Sequence, residues 1–115
     1  MTTYIKTVSE PWFSLIKLKL KKVEGRLNKG DFSKMIKGDI IILTNSDFQN
    51  RTIKVKIKKI KYYDTFKEYL EKEKLDKCLP GIDTIDEGVN IYYKYYPKKM
   101  EEEFKIIAIR MKLII

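Results

Sequence analysis

Lys19, Lys21, Lys22 and Arg26 bring four cations into eight residues, with a single carboxylate, Glu24, among them. A plain charge run on a solvated face needs no acid at its centre and no glycine beside it, yet Gly25 follows Glu24 directly. Side chains two apart on an extended strand point the same way, so Lys22, Glu24 and Arg26 are expected on one face. Groups arranged like this can grip a phosphate or hydrogen-bond a polar base. They equally suit a salt-bridged strand edge that binds nothing.

A second run, Tyr92-Tyr93-Lys94-Tyr95-Tyr96, sets aromatic rings beside a cation, the combination on which single-stranded nucleic acid stacks. Tyr92 and Tyr96 stand four apart and are expected to pack inward together on a helix. That leaves Tyr93 or Tyr95 exposed, with Tyr93 taken as the candidate contact.

Composition narrows the chemistry. There is no histidine, which excludes Ser-His-Asp and Cys-His triads and the usual zinc sites. The one cysteine, Cys78, cannot form an internal disulfide. It reads as a small apolar residue in a reducing, intracellular setting, cytoplasmic or nuclear. No metal and no cofactor are expected. No apolar run approaches the ~20 residues of a membrane span, and the start at Met1 lacks a signal-peptide core. A length of 115 residues with 43% hydrophobic and 36% charged content fits one folded domain with its own core. A net charge of +9 attracts polyanions, of which nucleic acid is the commonest. Part of the lysine content has another source: the chain is rich in Lys, Ile, Tyr and Asn and poor in Arg, Ala and Pro. AT-rich coding sequences, as in large DNA viruses and low-GC microbes, carry that bias.

The elements that must position these residues can be taken in order. Residues 1–10 read as a polar lead-in and 11–115 as a single domain. Ser9 and Pro11 fit a helix start, with Ser9 as cap, and the helix is expected to give way to a strand near Val23–Leu27. Asn28-Lys29-Gly30-Asp31 is a turn, followed by a short helical piece around Phe32. Ile40-Ile41-Ile42-Leu43-Thr44 is apolar on both faces and reads as a buried central strand. Residues 51–63 alternate Ile53, Val55 and Ile57 with Lys54, Lys56 and Lys58, giving a long strand with one core face and one lysine row. Thr65 with Glu68 and Thr84 with Glu87 are capping boxes that open two further helices. Pro97 ends the second, residues 98–103 read as a charged link, and residues 104–113 as the closing strand. The whole is an α+β domain, a small curved sheet or barrel of five to six strands flanked by two to three helices.

From Pro11 onward, the order and spacing of these pieces resemble the ASCH domain, a branch of the PUA-like superfamily of small β-barrels associated with RNA. The family motif, G-x-K-x-x-E-x-R after an aromatic-led helix, reads here as Lys19-Leu20-Lys21-Lys22-Val23-Glu24-Gly25-Arg26 behind Pro11-Trp12-Phe13. Ile36-Lys37-Gly38-Asp39-Ile40, Leu79-Pro80-Gly81, Ile91-Tyr92-Tyr93, Glu101-Glu102-Glu103 and Ile107-Ala108-Ile109 add further matches. Lys19 departs from the pattern, which usually has glycine there. The resemblance implies a cleft between barrel and helices, lined by Lys21, Glu24 and Arg26, that receives a nucleotide or RNA, single-stranded RNA above all. Lys19, Lys22 and Tyr93 are the accompanying candidates for nucleic-acid contact.

Catalysis has a narrower footing. The chain resembles small ASCH amidohydrolases that deacetylate N4-acetylcytidine, in which a lysine, a threonine three residues later and a glutamate before a helix are assigned the work. Lys21 matches the lysine, but Glu24 stands at the threonine position, and a carboxylate replaces an ester-forming hydroxyl poorly. Gly81-Ile82-Asp83 offers no glutamate at the third position. That activity is therefore disfavoured. RNA cleavage with Glu24 as base and Lys21 or Arg26 steadying the phosphorane is the alternative enzymatic reading, and a regulatory protein-interaction module is the third.

Overall fold

The alternation of apolar residues with lysine builds the longest strand, β4, Thr52–Tyr63, with Ile53, Val55 and Ile57 buried beneath it. A computed structural model describes residues 1–114. β3, Ile40–Asn45, pairs antiparallel with β4, and β5, Ile106–Leu113, lies antiparallel on its other side. β2, Val23–Leu27, extends the sheet beyond β5. Ile40–Asn45 lies between β1 and β4 with Ile41 and Leu43 in the core. Ile42 and Thr44 on its other face are only half-buried, so the strand is less enclosed than its apolar run suggests.

The other edge of the sheet is a correction to the sequence reading. Thr3–Val8, inside the stretch read as a lead-in, is strand β1 and runs parallel to β3, pairing Thr3 with Ile40 and Val8 with Asn45. The order is β1-β3-β4-β5-β2, so the sheet has two edges, and it curls until they approach. The Arg26 Nη2 donates to the Thr7 carbonyl at 2.8 Å across the gap. The result is a five-stranded half-barrel in an α+β fold.

Two cores follow from β5 being buried on both faces. Ile107, Ile109 and Met111 point into the curl with Ile41, Leu43, Val55 and Ile57, where helix α1, Trp12–Lys17, plugs the end with Phe13 and Ile16. Ile106 and Ala108 point the other way with Val23 and Leu27, under helices α2, Phe66–Glu73, and α4, Ile85–Tyr95. Gly25 sits at their closest approach: a Cβ there would lie 2.5 Å from the Tyr69 ring. Only glycine lets α2 rest on β2, which is why a glycine follows the acid of the charged run.

Both threonines cap their helices, Thr65 accepting from the Glu68 N–H at 3.1 Å and Thr84 from the Glu87 N–H at 3.2 Å. Neither box closes reciprocally among the described residues: the Glu68 carboxylate accepts from the Asp64 N–H instead. Three local readings change. Glu10 rather than Ser9 satisfies the start of α1, accepting from the Ser14 N–H at 3.0 Å. The connector after α2 contains a short helix, α3, Leu75–Cys78. Residues read as a charged link form helix α5, Lys98–Phe104. Glu101 explains the last: it is 2% exposed and accepts from the Phe66 N–H at 2.7 Å and the Tyr93 hydroxyl at 2.8 Å. A carboxylate at the start of α2 answers both the free N–H groups and the helix dipole. There are five α-helices among the described residues instead of two or three, and none is long and apolar enough to cross a membrane.

Candidate functional site

Lys21, Glu24 and Arg26 converge, because the turn after α1 folds back on itself. The N–H groups of Leu20 and Lys21 both reach the Leu15 carbonyl, which swings Lys21 under the sheet before β2 begins. Its ammonium is buried, donating to the Val23 carbonyl at 2.7 Å and to the Cys78 carbonyl at the end of α3. Glu24 Oε1 lies 3.4 Å from it. Glu24 and Arg26, two apart on β2, share a face as the strand period requires, and Glu24 Oε2 accepts from Arg26 Nε at 3.1 Å and Nη2 at 2.9 Å. The Arg26 guanidinium also lies 5.1 Å over the Phe32 ring, within cation–π range.

The electrostatics are those of a mutually satisfied buried set. Burial alone would push the Glu24 carboxyl up, but Arg26 and Lys21 outweigh it and hold the group below the usual carboxylate range. Burial works against the Arg26 charge as well, and Glu24 overcomes it, so Arg26 stays firmly protonated. The Lys21 ammonium has three protein oxygens around it, two hydrogen-bonded carbonyls and the Glu24 carboxylate as an ion pair. Arg26 differs, since its Nη1 makes no hydrogen bond among the described residues and its side chain is 18% exposed.

These side chains line a cavity of about 320 Å³ between the two sheet edges and α4. Trp12 of α1 forms one wall, with the Lys21 ammonium 5.8 Å from its ring. Tyr92, Tyr95 and Tyr96 contribute from α4 and its end, and Thr7 and Ser9 from the end of β1. Tyr92 is held by the Tyr69 hydroxyl at 3.0 Å, whereas Tyr95 is 55% exposed, its hydroxyl 3.2 Å from Ser9 Oγ. The cavity is at the small end of the ~300–1,000 Å³ range for small-molecule sites. It suits a single heterocycle and its sugar better than a helix of paired bases.

The structure places the other sequence candidates elsewhere. Lys19 and Lys22 line a separate groove on the far side of Lys21. Lys19 has φ +65°, in the left-handed region, which explains why a glycine suits that position. Tyr93 turns into the second core, edge-on to Phe66, and burial with its bond to Glu101 pushes its hydroxyl up to about 12. Trp12, Tyr95 and Ser9 are among the cavity residues that sequence reasoning did not place there. The signal for Tyr95 was present as its exposed position beside the inward pair. For Trp12 there was none, since its spacing on α1 looks like core.

The sequence signature of the ASCH domain matches residues 7–115. Two solved structures share the architecture. The crystal structure of the hypothetical protein PH0355 is 37% identical with a TM-score of 0.88, covering 97% of this chain and 99% of that one. The solution structure of protein PF0455 from Pyrococcus furiosus is 32% identical with a TM-score of 0.77, covering 97% of each chain. No curated protein matches the chain.

Proposed function

The chain belongs to the ASCH domain family, and on that premise we propose that it binds RNA, taking one nucleotide of a single strand into the cleft above Glu24 and Arg26. The observation that carries this reading is the pairing of a fixed carboxylate and guanidinium on the floor with exposed aromatic surface on the walls. A base has flat π faces and a polar edge, and such a pocket answers both. Glu24 accepts from an exocyclic amine, and the two free Nη1 N–H groups of Arg26 donate to a base carbonyl or a phosphate. Lys21, buried and tied to two backbone carbonyls, serves as the countercharge that keeps Glu24 ionised and in place.

Binding is favoured over cleavage by the same geometry. A carboxylate held below its usual range is a poor proton acceptor at neutral pH.

Tyr95→Ala tests the reading without touching the buried charges. Loss of one base–aromatic stack is worth about 1–3 kcal/mol, so affinity for a labelled single-stranded RNA, read by fluorescence anisotropy, should fall by roughly five- to 150-fold. A folded Tyr95→Ala variant that binds as well as the parent would falsify the cleft as the site.

A further inference from the structure

The groove on the far side of Lys21 is built differently from the cleft. It has a volume of about 370 Å³ and a floor that includes Ile16 and Met111. Four exposed lysines, Lys19, Lys22, Lys58 and Lys112, form its rim. No acidic side chain lines it, and among the described residues none of the four takes part in an ion pair.

Three separate elements deliver these cations, and two do so through irregular backbone. Lys19 is presented by a left-handed residue at the end of α1. Lys58 is the extra residue of a β-bulge: Ile57 pairs with Met111 and Lys59 with Arg110, leaving Lys58 unpaired between them. Bulges of this kind re-aim a side chain. The Met111 N–H reaches the Lys22 carbonyl at 3.1 Å, which joins the loop after α1 to β5 and holds the two sides of the groove together. Next to it Lys56 stands directly opposite Lys112 across β4 and β5, and like charges in that relation destabilise a sheet. Among the described residues neither lysine forms an ion pair.

We propose that this groove is a second, separate nucleic-acid contact, taking the sugar–phosphate backbone of a single strand, with sugars on the apolar floor and phosphates among the four lysines. A concave groove favours a chain of phosphates over a lipid surface, which is too flat to enter it. The proposal is independent of what occupies the cleft, since Lys21, the one residue common to both, is buried with its ammonium held by the Val23 and Cys78 carbonyls.

The test is the salt dependence of binding to a labelled oligouridine, measured for the parent and for the Lys19→Gln, Lys22→Gln, Lys58→Gln, Lys112→Gln variant. Each phosphate contact contributes about 0.7 to the slope of log affinity against log salt for a single strand. The fourfold variant should therefore lose between two and three units of slope, roughly, while Tyr95→Ala leaves the slope unchanged and lowers only affinity. A matched variant at exposed lysines elsewhere, Lys67→Gln, Lys72→Gln, Lys94→Gln, Lys98→Gln, should keep most of the slope. Equal losses in the two fourfold variants would mean a diffuse attraction and overturn the groove. So would an unchanged slope, or a loss confined to binding of phosphatidylserine vesicles.

Discussion

The cleft and the groove stand back to back on Lys21, which lines both, and they treat positive charge in opposite ways. In the cleft, two cations share one buried carboxylate and backbone carbonyls, so little charge is left over and every donor has a direction. In the groove, four lysines project into solvent with no acid near them. In the proposed reading, the difference separates two jobs that nucleic-acid binders must do. Directed, dehydrated groups discriminate among bases, whereas solvated cations supply affinity that depends on salt and ignores sequence.

Stability should divide along the same line, most of all at Glu24. Glu24→Ala leaves Lys21 and Arg26 buried without their carboxylate, and breaking such a set costs about 3–5 kcal/mol. Guanidinium denaturation reads this directly. A cost below about 1 kcal/mol would mean that the set is far better solvated than its burial indicates, and the contrast with the groove would collapse.

Acid sharpens the point. The folded-state pKa of Glu24 lies below its unfolded value, so its contribution is complete above the unfolded value of about 4.3 and is lost as pH falls through the lower folded one. The stability gap between the parent and Glu24→Gln should therefore be widest above the unfolded value and close as pH falls through the lower folded one. Glu73 is depressed as well, burial opposing it and Arg110 and Tyr63 prevailing. The Glu24→Gln variant should keep some acid sensitivity from that second pair. A gap that is flat with pH would assign the loss in the variant to packing instead of charge.

The smallest effect belongs to the groove. Replacing its four lysines by glutamine removes no ion pair, so unfolding free energy should stay within about 0.5 kcal/mol per site, as for ordinary surface changes. A fourfold variant that is markedly less stable would show that these lysines support the sheet.

Much of the architecture could be read from residues close in sequence. The Ile–Lys alternation of β4, the two Thr–Glu caps and the placement of Glu24 beside Arg26 all depend on spacings of two or three. β1 escaped because Thr3–Val8 is half exposed, with Ile5 67% exposed on an edge, so it carries no core stripe. α5 escaped because its stability comes from Glu101 meeting the start of α2, thirty-five residues away. That same contact decided between the two candidate tyrosines: Glu101 draws Tyr93 inward, and Tyr95 is left at the cavity.

The sequence by itself determined that Glu24 and Arg26 would share a face opposite Val23 and Gly25, since the pleat of a strand permits nothing else. Lys22, expected on that face too, precedes β2 and lies on the other side. It also determined, through Gly25, that something would approach β2 closely. Only the tertiary structure decided that Lys21 and Lys22, adjacent in the chain, would serve opposite surfaces. Lys21 is buried because the Cys78 carbonyl, 57 residues away, arrives beside Val23 and Glu24 to receive its charge. A buried ammonium persists only where oxygens converge on it, and that convergence comes from long-range packing, which no local spacing records.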